Sequence, residues 1–66
     1  MIEYSNSRMR QLIEEFVHSE RDRGVLRRRF IDGITIERIA EEFEMSPRQI
    51  RNIVHKHEPI LLKKYL

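Results

Sequence analysis

The sequence has no cysteine and no tryptophan, and only two glycines and two prolines in 66 residues. Without cysteine there is no disulfide framework and no thiolate zinc site, and nothing demands an oxidising compartment. Strict alternation of apolar and polar residues over a strand length is also missing, so sheet is disfavoured. No apolar run approaches the roughly 20 residues a membrane helix requires. Residues Met1 to Asn6 contain no basic stretch followed by an apolar one, so a secretory signal is not expected. These absences lead to the expectation of a cytoplasmic protein. Nor is there a large excess of either charge: 13 Lys and Arg stand against 11 Asp and Glu, a net +2. A domain of this length buries only about 60% of its unfolded surface, which leaves little room for a deep active site.

What the sequence does contain is helical periodicity and helix-capping chemistry. Met9, Leu12, Ile13, Phe16 and Val17 recur at the spacing of one helix stripe. With Ser5 or Ser7 as cap, they predict a helix over about 6–18. Ser19-Glu20-Arg21-Asp22 resembles a capping box and opens a second helix, about 20–32. It carries Val25, Leu26, Phe30 and Ile31 and stops at Gly33, a natural left-handed cap. Gly24 lies inside it and weakens it by up to about 1 kcal/mol relative to Ala. Thr35 caps a short helix, 36–43, with Ile36, Ile39, Ala40 and Phe43 on its apolar face. Ser46-Pro47-Arg48-Gln49 is the clearest start signal: a serine cap, a proline at the first helical position, and a glutamine that can reach back to the cap. The helix it opens carries Ile50, Ile53, Val54 and His57 inward. Pro59 disfavours helix at Glu58, so this helix is expected to end near 57, with a separate short helix at 59–66. The expected fold is all-α: a small bundle of four to five helices in one domain spanning 1–66.

Two short helices joined by a three-residue turn, 35–57, make a helix-turn-helix, whose second helix enters a DNA major groove. Charge supports this. Residues 37–44 hold Glu37, Glu41, Glu42 and Glu44 against Arg38, whereas residues 46–57 hold Arg48, Arg51 and Lys56 and no acid. Pointing away from Ile50, Ile53 and Val54 are Arg48, Gln49, Arg51, Asn52, His55 and Lys56. Arginine pairs with guanine edges, and Asn or Gln with adenine. Arg48, Gln49, Arg51 and Asn52 are therefore the candidate base readers, and Thr35, Ser46, His55 and Lys56 the candidate phosphate contacts. A solvated charged face is the ordinary alternative. The absence of acids, together with Asn, Gln and the turn, favours double-stranded DNA as partner.

Phe30, Gly33, Thr35, Ile39-Ala40, Phe43, Met45-Ser46, Gln49-Ile50 and Arg51 resemble the region-four helix-turn-helix of bacterial sigma factors. The similarity covers about residues 20–57. It is nearest to the small region-four-like regulators of phage and mobile elements in Gram-positive bacteria. The resemblance implies promoter-type DNA binding through Arg48, Gln49, Arg51 and Asn52, with RNA polymerase as a further candidate partner. Two departures stand out. Glu44 occupies a turn position where the family usually has Gly. The sigma-factor regions that melt promoters and grip polymerase are not present, so a complete sigma factor is not expected.

The remaining signals are weaker. Arg21, Arg23, Arg27, Arg28 and Arg29 form a second basic cluster with Asp22 as the only acid among them. It reads either as a solubilising face partly paired with glutamates of the 36–43 helix, or as a flanking clamp with Arg27 and Arg28 on phosphates. His55 and His57 lie two apart on a helix and diverge, while Glu14 and His18 offer two ligands without a third, so no metal site is expected. No nucleophile and base stand in a recognisable arrangement, and no glycine loop cradles phosphate, so neither an enzyme nor a cofactor is expected. The apolar end, Pro59 to Leu66, completes the core or forms a homodimer contact, to which Met1, Ile2 and Tyr4 could add.

Overall fold

The apolar stripes described above close onto one another in the computed structural model, which describes residues 6–66. Four α-helices result: α1 (Asn6–Phe16), α2 (Glu20–Phe30), α3 (Ile36–Phe43) and α4 (Pro47–Tyr65). There is no strand among the described residues. The all-α bundle is as expected. Its core combines Met9, Leu12, Ile13 and Val17 with Val25 and Leu26 of α2, Ile39 and Ala40 of α3, and Ile50, Ile53, Val54 and Leu61 of α4. Helix α4 packs against all three other helices.

Local chemistry sets most of the boundaries. Ser19 caps α2, its Oγ accepting from the Asp22 N–H at 3.3 Å, and Thr35 caps α3, accepting from the Arg38 N–H at 3.2 Å. Past α2, Gly33 takes φ 69°, and the Ile34 N–H donates to the Arg28 carbonyl at 3.0 Å. Helices α1 and α2 each end two residues earlier than the periodicity suggests. For α1 the cause is visible: Arg23 reaches back from α2 and donates to the carbonyls of Glu14 and Val17, satisfying groups a longer helix would have used internally. Ser7 lies inside α1, not at its cap. Ser5, the other cap candidate, and Met1, Ile2 and Tyr4 lie outside the described residues.

The main correction concerns α4. It does not stop near 57, and there is no separate helix at 59–66. One helix runs from Pro47 to Tyr65 with Pro59 inside it. An interior proline removes one backbone hydrogen bond and costs about 3 kcal/mol or more. Two features offset that. Pro59 is exposed, on the face opposite the core, where a helix bends around its core and a freed carbonyl can be hydrated. Beyond it the apolar stripe continues. Leu61 is 1% exposed and Leu62 and Tyr65 are half-buried, and full burial of one such side chain contributes about 1.5–3 kcal/mol. Arg8 of α1 then donates to the Lys64 and Tyr65 carbonyls at 3.1 and 3.3 Å, closing the helix end.

Gly24 acquires a reason in the packing. A Cβ there would stand 3.0 Å from the Phe43 ring, so the bare backbone lets α3 approach α2. The sharp turn between α3 and α4 is built on Glu44, which takes the left-handed conformation at φ 55°, ψ 44°. The Met45 N–H donates to the Ala40 carbonyl at 2.9 Å and the Glu44 N–H to the Glu41 carbonyl at 3.3 Å, a Schellman closure. The turn keeps its shape without the glycine, and a side-chain-bearing residue carries the strain, which is of order 1–2 kcal/mol for an L-residue. Glu44→Gly is therefore expected to stabilise the chain by about 1 kcal/mol, because relief of strain exceeds the added unfolded-state entropy. Urea denaturation would show an upward midpoint shift with unchanged slope.

Candidate nucleic-acid interface

The turn at Glu44 brings α3 and α4 together through Ile39, Ala40, Ile50 and Ile53, all in one core. Ser46 and Gln49 then lock the start of α4. The Gln49 N–H donates to Ser46 Oγ at 3.2 Å, and the Ser46 N–H donates to Gln49 Oε1 at 2.9 Å. Because the inner face of α4 is used up by the core, its outer face is determined. Arg48, Gln49, Arg51, Asn52, His55 and Lys56 are all exposed.

These six differ in how free they are. Among the described residues, Arg48, Arg51, Asn52, His55 and Lys56 have no side-chain hydrogen bond or ion pair in the fold. Gln49 is held differently, since its carbonyl oxygen is part of the cap and only its amide nitrogen is uncommitted. Ser46 and Thr35 both spend an acceptor on capping but lie exposed at the starts of α4 and α3. His57, expected on the inner face, is half-buried there and meets Asp22 of α2, with Nε2 3.3 Å from Oδ2.

The second basic cluster is tied into the fold. Arg27 pairs with Glu14 at 3.1 Å and with Glu20 at 3.8 Å. Arg28 forms a two-pronged pair with Glu42 and a third contact with Asp32 at 2.9 Å. Arg23 and Arg29 donate to backbone carbonyls, and Arg21 pairs with Asp22. A phosphate reaching Arg27 or Arg28 would have to displace a carboxylate already in place. The solubilising-face reading anticipated pairing with glutamates of α3, and among the described residues this occurs through Glu42 alone. The other three glutamates of that segment, Glu37, Glu41 and Glu44, are exposed and have no pairing partner among the described residues.

Sequence reasoning did not include Arg38 among the candidate contacts. It lies in the first turn of α3, its side chain 70% exposed, with only a 3.8 Å approach to Glu42. Its position three residues after the Thr35 cap was the available signal. No group of three metal-ligating side chains occurs among the described residues, and no helix among them is long and apolar enough to cross a membrane.

The family model described as Sigma-70, region 4 matches residues 19–56, more than half of the chain. The match spans α2, α3 and the first half of α4, and leaves out α1 and residues 57–66. Comparison with curated proteins and with solved structures gave no match.

The Arg28–Glu42 pair fixes α2 against α3 and carries a pH signature. Hydrogen bonding from Arg28 lowers the Glu42 carboxyl below its ordinary 4.5 and raises the Arg28 guanidinium above its own ordinary value. A depressed carboxylate contributes stability that is complete above its unfolded value and is lost as pH falls through the folded one. Arg28, raised further, stays charged wherever the protein folds. Glu42→Gln should therefore be less stable than wild type at pH 6, and the difference should shrink as pH is taken below about 4. Urea midpoints of both proteins at pH 6 and pH 3 measure it; an undiminished gap at pH 3 would contradict the assignment.

Proposed function

The chain belongs to the sigma-70 region 4 family, and on that premise we propose that it is a sequence-specific transcription regulator that reads the DNA major groove with α4. The observation that carries this is the outer face of α4. Five polar side chains suited to bases and phosphates point outward, unpaired, on a segment without a single acid. The arginine-rich stretch of α2, by contrast, is engaged with carboxylates or carbonyls. A bare cationic face on a packed helix of about 28 Å, preceded by a steep turn, matches the geometry by which a recognition helix enters a groove about 12 Å wide.

In this reading Arg48, Arg51 and Asn52 contact base edges from the first turns of α4. Gln49 adds its amide nitrogen while its oxygen holds the cap. His55 and Lys56, a turn further on, meet phosphates as the helix leaves the groove. Ser46, Thr35 and Arg38 meet the backbone at the two helix starts. Arg27 and Arg28 act chiefly by holding α2 in place. The family is a DNA-binding one, and the site holds groups that bind and orient; catalysis forms no part of the proposal.

With about four to six phosphates neutralised, log affinity for duplex should fall with log salt at a slope near −4 to −5. Arg51→Ala should cost roughly 1–3 kcal/mol and relax selectivity at one base position, while Lys56→Ala should weaken all sequences alike and flatten the slope by about one. Selection from a random duplex library, followed by titration at several salt concentrations, is the measurement. A protein that enriches no sequence and shows no salt-sensitive affinity for any duplex would end this reading.

One observation favours a second reading. Glu37, Glu41 and Glu44 present an unpaired acidic side on α3, which a nearby DNA backbone would repel. A region-four module that binds RNA polymerase or another regulator through this side, without reading DNA, would use them directly. Recovery of polymerase equally well by wild type and by an Arg48→Ala/Arg51→Ala variant, with neither selecting a DNA sequence, would establish that alternative. Loss of polymerase capture in a Glu37→Lys/Glu41→Lys variant would locate the contact.

A further inference from the structure

The far end of α4 carries a second exposed surface, made wholly from residues outside the family-matched stretch 19–56. Phe16 is 36% exposed and Ile60 50% exposed. The Lys64 ammonium stands over the Phe16 ring, 5.4 Å from its centre, and the Arg8 guanidinium over the Tyr65 ring at 5.5 Å. Ile60 precedes Lys64 by one helical turn and shares its side of α4. Lys63 is exposed beside them and, among the described residues, pairs with nothing. Residues 59–66 hold two lysines and no acid, and residues 6–13 hold two arginines and no acid. Three carboxylates border these stretches: Glu14, which is paired with Arg23 and Arg27, Glu15, and Glu58 before Pro59.

From this arrangement we infer that the junction of α1 with the last turns of α4 is a docking surface for an acidic amphipathic protein segment. The apolar centre, Phe16 and Ile60, takes the segment's aliphatic anchors. The surrounding Arg8, Lys63 and Lys64 select carboxylates on either side of those anchors, since complementary charge steers encounter and rejects like-charged partners. Charge decides between occupants. A second copy docked by a two-fold axis would set Arg8, Lys63 and Lys64 close to their own counterparts, because a symmetric interface joins the same patch on both subunits. Duplex DNA would find cations here but no use for the exposed aliphatic side chains between them. The surface lies at the opposite end of α4 from Ser46 and Arg48, so a partner held there leaves the candidate reading residues uncovered. The inference does not depend on DNA binding and is tested without it.

The test titrates the full chain with a synthetic helical peptide bearing leucine anchors flanked by glutamates, followed by amide chemical shifts. A matched peptide with lysines for the glutamates is the control. Shifts are expected at residues 8–16 and 60–66, with at least tenfold weaker binding of the lysine peptide. Lys63→Glu/Lys64→Glu should weaken the acidic peptide at least tenfold, and Ile60→Asp, which keeps every cation, should do the same through loss of the anchor site. Arg48→Ala/Arg51→Ala should leave it unchanged. Circular dichroism confirms that each variant is folded; if one is not, the other two carry the test. Four results would overturn the inference. Shifts confined to residues 48–56, or equal binding of both peptides, would mean nonspecific attraction. A concentration-dependent dimer abolished by Ile60→Asp would assign the surface to a second copy. Duplex DNA shifting residues 60–66 as strongly as 48–56 would assign it to nucleic acid.

Discussion

Everything in this fold depends on burying one face of α4. Ile50, Ile53, Val54 and Leu61 are the side chains around which the other three helices assemble, and α4 packs against each of those helices. A chain this small has few apolar residues to commit, so a single long stripe shared among three neighbours is an economical way to exclude water. The same commitment fixes the functional geometry. Once the inner face is occupied, rotation of α4 about its axis is no longer free, and Arg48, Arg51, Asn52, His55 and Lys56 are left outward as a consequence of packing.

Electrostatics follows the same division. The arginines of α2 stand among carboxylates and open carbonyls: Arg27 with Glu14 and Glu20, Arg28 with Glu42 and Asp32, Arg23 with the end of α1. Exposed ion pairs of this kind contribute little each, about 0–1 kcal/mol, but they remove α2 from the set of free cationic surfaces. Helix α4 has no acid within reach along its own first three turns, so its cations keep their full attraction for an external anion. A nearly neutral average charge thus coexists with a directed basic face.

Much of the architecture could be read along the chain because its signals are local. Ser19, Thr35 and Ser46 cap within three residues of themselves, and Gly33 ends α2 through its own backbone freedom. The helix-turn-helix was legible for the same reason, since a cap, a turn and an apolar period need no knowledge of distant residues. Pro59 misled because its local preference is real but is offset by burial of Leu61, the half-burial of Leu62 and Tyr65, and the capping of α4 by Arg8, which depend on contacts with other helices. Glu44 was flagged as a departure from glycine; only the fold shows that it takes the left-handed conformation itself.

The site divides along the same line. Sequence by itself determined which side chains line the outer face of α4, because helical period and the inward run of Ile50, Ile53 and Val54 leave them nowhere else to point. It also determined that acids gather before the turn and bases after it. Tertiary structure decided which of the basic residues are free. Arg28 meets Glu42 across fourteen positions, Arg27 meets Glu14 across thirteen, and Asp22 meets His57 across thirty-five. Such pairings depend on how helices cross, which is set by packing volumes such as the bare backbone of Gly24 under the Phe43 ring. No spacing along the chain encodes that crossing.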